Sequence, residues 1–262
     1  MARICPLFSG SEGNSTYVSA CGSALLVDAG ASFKALSGAI CACGGNIDEI
    51  KGVLITHEHT DHIKGLKVLL KSTGLPVYAS AETLDALSSA GVLPGGAEAY
   101  AISGCGNDIG GICVDRFETS HDCVGSSGYA FSFENGSKAA VCTDLGVVTD
   151  GVRRALSGCQ TVLIEANHNI EMLKSGPYPP QLKMRILSDK GHLSNDSCAA
   201  ELPGLLKSGV TRIILGHISR NNNTPLLALS SARASLADIG AKENSDYILC
   251  AAAPKENGVI LF

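Results

Sequence analysis

The chain has 262 residues, 45% of them apolar and 17% charged, enough to enclose a sizeable core. Its formal net charge of −5 argues against a broad, non-specific nucleic-acid surface, although it leaves room for a local basic groove. No apolar run reaches the length of a membrane span, and the opening "MARICPLFSG" is too short an apolar stretch for a signal peptide. The 11 cysteines, an odd number without a regular framework, read as small, buried, reduced side chains, so a cytoplasmic protein is expected. Cys41 and Cys43 form a C-x-C on an apolar helical face with Phe33, Leu36 and Ile40, which reads as packing rather than a metal site.

In chain order, apolar runs predict strands at 2–7, 15–20 and 23–28, then a helix over 32–43. A strand at 52–56 leads into a helix over 62–73, followed by a strand at 76–79 and a helix over 81–90. Strands are expected at 111–118, 128–133 and 138–143, the last two joined by a hairpin turn at Asn135 and Gly136. Beyond them come a helix over 149–157, a strand at 160–165, a helix over 194–207 and a strand at 211–216. A helix over 225–239 and strands at 246–252 and 258–262 complete the pattern. Ser80 and either Ser194 or Asn195 are expected caps, and Pro203 is expected to kink or shorten its helix. Strands dominate the first part and alternate with helices in the second, which suits two sheets packed face to face with helices outside.

Three of the seven histidines crowd into "LITHEHTDHIKGL", residues 54–66. His57, His59, Asp61 and His62 occupy the tight loop between a buried strand and a helix. Imidazole, carboxylate and open coordination positions are what a hydrolytic divalent metal site requires. Alternate residues 57 and 59 can point the same way to grip one ion, leaving Asp61 and His62 to turn toward a second.

On this H-x-H-x-D-H run the chain resembles the metallo-β-lactamase superfamily, along nearly its whole length. The resemblance implies an α+β fold, a four-layer αβ/βα sandwich with two metals at the sheet edges, formed by one domain over 1–262. It also implies the later ligands, each after a strand: His121 in "VDRFETSHD", Asp144 in "AAVCTDLG" and His217 in "RIILGHIS". His57, His59 and His121 would hold one divalent ion, zinc or manganese. Asp61, His62 and His217 would hold the other, with Asp144 between them. Five neutral imidazoles, two carboxylates and two divalent ions sum to about +2, which favours an anionic substrate or transition state. Asp28, in "LLVDAG", is taken as structural.

Asp144 stands where two-zinc β-lactamases carry cysteine, and His59 where the flavin-linked di-iron members carry glutamate, so a hydrolase is expected. Glu165 in "TVLIEANH" resembles the acidic motif of the RNase J and tRNase Z groups, and His192 in "DKGHLSNDS" the tRNase Z histidine motif. "SGSEGNSTYV", "EANHNIEMLKSGPYP" and "HISRNNNTPLLAL" resemble the WalJ/YycJ group, except that Asn221 stands where that group typically has Glu. This resemblance implies a 5′→3′ exonuclease, with DNA favoured over RNA. In that scheme Asp61 orients the attacking hydroxide, and His192, oriented by Glu165, protonates the departing oxygen. Neither Glu165 nor His192 is assigned as a ligand.

Substrate contacts are expected from His168, Lys183, Arg185 and Ser219, with Lys190 nearby; a solvated charged face is the plainer reading of the lysines and arginine. Likewise Glu165 can simply neutralise a basic neighbour, and His192 can be a cap without chemistry. The 72 residues between Asp144 and His217 leave no room for a β-CASP cap domain. With no Trp, six Tyr and six Phe, extensive base stacking is not expected. Two other function classes stay open, a small-molecule hydrolase acting on a thioester, lactone or cyclic phosphate, and a non-catalytic metal-binding regulatory module. Oligomeric state is left open.

Overall fold

Runs that are apolar at almost every position become strands covered on both faces, here in two seven-stranded sheets of a computed structural model describing residues 1–262. The first sheet holds β1 (Arg3–Phe8), β2 (Ser15–Ala20), β3 (Ser23–Val27), β4 (Ile50–Leu54), β5 (Val77–Ala79) and β6 (Ala99–Ala101) in that order. The second runs through β7 (Asn107–Ile109), β8 (Ile112–Glu118), β9 (Ser127–Ser132), β10 (Lys138–Cys142), β11 (Thr161–Glu165), β12 (Arg212–Gly216) and β13 (Ile248–Ala251). The last strand, β14 (Ile260–Leu261), returns to pair with β1. In each sheet an antiparallel meander gives way to parallel strands, from β3 to β6 and from β10 to β13.

Val18, Leu25 and Leu54 of the first sheet meet Val114, Phe131, Val141, Leu163 and Ile214 of the second in a core between the sheets. Outside the first sheet lie α1 (Phe33–Ala42), α2 (Thr60–Ile63), α3 (Leu66–Thr73) and α4 (Ala81–Ser89), with Leu36, Ile40, Leu66, Leu69 and Leu87 facing inward. The second half adds α5 (Asp150–Leu156), α6 (Ile170–Ser175), α7 (Pro180–Ile186), α8 (Asn195–Lys207) and α9 (Pro225–Asp238), and α5, α8 and α9 close the outer core there. The result is the expected four-layer α+β sandwich.

Six elements differ from the sequence reading. β6 and β7 went unpredicted, each being three residues long, and β6 is exposed at every position. The helix expected over 62–73 breaks at Gly65, where a Cβ would lie 1.8 Å from the Ala31 carbonyl oxygen. α6 and α7 are short helices in a segment rich in Pro and Gly. Pro203 does not shorten α8, which runs its full 13 residues. Proline has no N–H to give the carbonyl four residues back, and Ser235 of α9 supplies one instead, its hydroxyl donating to Ala199 O at 2.7 Å.

Candidate metal centre

The carboxyl ends of the parallel strands deliver the polar residues, as is usual where such strands run out into loops. β3 leads into Asp28, β4 into Thr56 and His57, β10 into Asp144, β11 ends on Glu165 and β12 leads into His217. Asp28, Asp144 and His217 have φ of 61°, 58° and 51°, a left-handed conformation that side chains adopt at a cost. Backbone bonds fix the loops: Asn14 N–H donates to Asp61 O (2.8 Å), Gly30 N–H to Asn14 O (2.9 Å) and Ala29 N–H to His62 O (2.7 Å). The weave is too tight for a side chain at Gly30, whose Cβ would meet Asp61 O at 1.8 Å.

Six of the seven histidines converge there. His57 Nε2 is 3.0 Å from His59 Nδ1, which is 3.3 Å from His121 Nε2. Beside this trio, His62 Nε2 lies 3.6 Å from Asp61 Oδ2, and His217 Nε2 lies 3.9 Å from the same oxygen. Asp144 stands between the two sets, 3.3 Å from His62 Nε2 and 3.9 Å from His121 Nε2. All of these except Asp61 and His59 are buried.

The far side of each ring shows which nitrogen carries the proton. Thr56 Oγ1 donates to the Asp28 carboxylate (2.9 Å) and so receives the N–H of His57 Nδ1 at 3.0 Å. His62 Nδ1 donates to Asp28 Oδ2 at 2.7 Å, and His121 Nδ1 to Gly191 O at 3.0 Å. His57 and His121 therefore leave Nε2 as the acceptor nitrogen facing their neighbours. Three imidazole nitrogens thus gather at His59 Nδ1 or within hydrogen-bond distance of it, and Asp144 Oδ2 is buried without any hydrogen-bond partner, an arrangement that a cation would satisfy. The donor set, imidazole with carboxylate, fits divalent metal ions. Burial and the neighbouring rings hold His57 well below the ordinary imidazole range, and burial lowers His59 too, keeping both neutral as ligands must be. Burial acts against His62 as well, but Asp144 and Asp28 raise its basicity well above normal.

Glu165 is fully buried at the meeting point of three loops. Its Oε2 accepts the backbone N–H of Leu145 (3.0 Å) and Leu193 (3.1 Å), and its Oε1 accepts His192 Nδ1–H at 2.9 Å. Burial alone would raise its pKa, but His192 and His217 bring it down to about 2. His217 Nδ1 sits 2.9 Å from Glu165 Oε1 and 3.0 Å from Asp144 Oδ1, aligned for a hydrogen bond with neither. Burial disfavours the charged form of His192, yet Glu165 more than compensates and raises its pKa.

A cleft of about 350 Å³ opens over this centre, lined by Asp61, Asp144, His192, His217, Arg185 and Ser219 among others. Two of the four expected substrate contacts thus face it. Arg185 does so while paired with Asp122, its Nη2 2.9 Å from Asp122 Oδ1. Lys183 does not line the cleft, because its ammonium group turns back onto Lys174 O at 2.7 Å. His168 is buried outside the lining, with neither ring nitrogen bonded, and burial lowers its pKa to about 4. Sequence reasoning missed Tyr178, which lines the cleft and accepts a hydrogen bond from Asn221 Nδ2 at 2.9 Å. Its signal was the Pro-flanked tyrosine of "SGPYPP". Asp28 proves more than structural, since it orients His62. Cys41 and Cys43 belong to no cluster of potential ligands.

Residues 24–218 match the sequence family described as "Beta-lactamase superfamily domain". The chain is 39% identical over 235 residues to exodeoxyribonuclease YycJ of Bacillus anthracis, covering 89% of each chain. It is 37% identical over 225 residues to exodeoxyribonuclease WalJ of Streptococcus pneumoniae, covering 85% of this chain and 83% of that one. Among solved structures, the metallo-β-lactamase fold protein YhfI of Bacillus subtilis superposes with a TM-score of 0.71 at 14% identity, over 99% of this chain and 98% of that one.

Proposed function

The chain belongs to the β-lactamase superfamily, and from that footing we propose that it is a metal-dependent phosphodiesterase of the nuclease kind, a 5′→3′ exonuclease acting on DNA. The names of the two curated relatives support the nuclease class. The observation that carries the reading is the Glu165–His192 pair, 2.9 Å apart at the wall of the cleft. An alkoxide leaving a nucleotide needs a proton, whereas the thiolate leaving a thioester does not, so a positioned acid favours phosphodiesters over thioesters.

In this proposal His57, His59 and His121 form one ligand set and Asp61, His62 and His217 the other, shared through Asp144. Two divalent ions, when bound, supply hydroxide near neutral pH and positive charge against the non-bridging phosphate oxygens. Asp61, 26% exposed toward the cleft, offers a carboxylate to orient the attacking oxygen. His192 lines the cleft with Nδ1 committed to Glu165, so Nε2–H is the proton given to the departing oxygen. Glu165 holds the ring and stabilises its charged form. Arg185 and Ser219 steady the strand, and residues 1–262 form one catalytic domain without a cap.

The test compares two substrates. His192→Ala is expected to slow cleavage of end-labelled DNA by about 10²–10⁴, while largely sparing a nitrophenyl phosphodiester, whose phenolate leaves unaided. Metal content should be retained. Equal losses on both substrates, with metal retained, would remove His192 from the role of acid.

A further inference from the structure

Next to the metal cleft lies a second cavity of about 310 Å³ whose walls include Gly10, Ser11, Glu12, Lys64, Arg220 and Lys255. Ser11 lines both cavities, so the two are neighbours. Three cations reach this cavity from three separate stretches of a chain whose overall charge is −5. The single acid in its lining, Glu12, is already paired with Arg220. Lys64 and Lys255 make no ion pair within the chain. A solvated charged face is normally built from one element; these cations come from three, and only one of them is matched by a carboxylate.

The cavity is also fixed in place relative to the metal centre. Asn14 closes the Gly10–Gly13 turn on both sides, accepting Gly10 N–H at 2.9 Å and donating to Gly10 O at 3.1 Å. The same amide nitrogen lies 3.2 Å from Asp61 Oδ2 and 3.1 Å from His62 Nε2. Lys64 follows α2 directly, two residues beyond His62, and Lys255 is tied to β1 through its bridge with Phe8. Arg220 stands three residues beyond His217. Each cation is therefore anchored within a few residues of the centre or of the first sheet.

We propose that this cavity seats a phosphate group of the nucleic-acid strand adjoining the scissile phosphodiester, held by Lys64, Lys255 and Arg220. The inference rests on the nuclease reading and deepens it. Such contacts set the register of a strand without reading its sequence. A seat for the terminal phosphate would measure the scissile bond from the end of the strand, and a seat for an internal one would hold the strand in register. The phosphate is either the 5′-terminal one, a monoester with three free oxygens, or an internal one, a diester with two, and both present anionic oxygens to the three cations.

The experiment uses metal-reconstituted wild-type protein and the double variant Lys64→Ala/Lys255→Ala on duplexes with 5′-phosphate and 5′-hydroxyl ends, reading KM and kcat separately across salt concentrations. Both lysines are exposed, and retained cooperative unfolding and metal content confirm that the variant is folded. The expected result is a KM raised on the order of tenfold, with a smaller change in kcat and a salt dependence shallower by about one to two phosphate contacts. A defect confined to 5′-phosphorylated ends identifies the terminal phosphate; an equal defect on both ends identifies an internal one. Unchanged KM and salt dependence in the double variant, with an active wild type, would overturn this inference alone. A wild type that cleaves no nucleic acid would overturn the nuclease reading and this inference with it.

Discussion

Four of the six imidazoles at the centre are gripped by their Nδ1 atoms, and the gripping groups differ in kind: a hydroxyl for His57, a carboxylate for His62, a backbone carbonyl for His121 and a second carboxylate for His192. Such partners set ring orientation and ligand basicity. Asp28→Asn should therefore lower metal affinity by about 10–100-fold, measured by competition with a chelator, although Asp28 touches no ion site itself. Glu165→Gln should impair DNA cleavage and also loosen the His217 side of the centre, because the carboxylate lies against both rings. His168 supplies a pH test. Burial holds it at about 4, below the unfolded value, so an unfolded chain takes up the proton first as the pH falls. The stability that depends on neutral His168 is complete above about pH 6.5 and is lost toward about pH 4. In chelated protein, His168→Leu should remove about 3 kcal/mol of that pH dependence, read from urea unfolding at neutral and acid pH. The proposed ligands were legible in the sequence because histidine is scarce and each one follows a strand. Thr56, Asn14 and Gly191 were not, because a hydroxyl, an amide or a carbonyl acquires its role only from folded geometry.

The proline in α8 carries the clearest test at the scale of elements. Ser235→Ala leaves the Ala199 carbonyl without its donor, an expected cost of about 1–3 kcal/mol. In a Pro203→Ala background, residue 203 regains its N–H and can bond Ala199 itself, so the same substitution should cost much less. Thermal or denaturant unfolding of the four proteins gives the coupling directly, and additive effects would mean that the hydroxyl does not stand in for the missing amide. Long strands with continuous burial, such as Thr161–Glu165, and helices of two or more turns were readable from their periodicity. β6 and β7 were not, since three residues carry no period and β6 buries none of them. α6 and α7 were hidden because each is short and the Gly and Pro residues of "SGPYPP" separate them, which reads as a loop. The break at Gly65 was invisible because its cause, the Ala31 carbonyl, lies far away along the chain.

At the scale of the molecule, the proposed ligands come from both sheets. His57, His59, Asp61 and His62 follow β4 of the first, whereas His121, Asp144 and His217 follow β8, β10 and β12 of the second. Two ions per chain are expected in reconstituted protein, and Asp144→Ala should disturb both, because its carboxylate stands between the two sets. Elemental analysis finding at most one tightly held ion in the unsubstituted protein would contradict that arrangement. Chelation should also lower the unfolding temperature, since a ligand at 100 times its Kd adds about 2.7 kcal/mol of stability.

Because that centre straddles the seam between the sheets, an ion bound there would act as a clasp on the sandwich as well as a reagent. A chain deprived of metal would lose the clasp along with the activity. Its loops around Asp61 and Asp144 would open more often, and a protease would find them sooner. The lifetime of each copy in a cell would then follow its metal supply, so that inactive copies are cleared by the same deficiency that silences them.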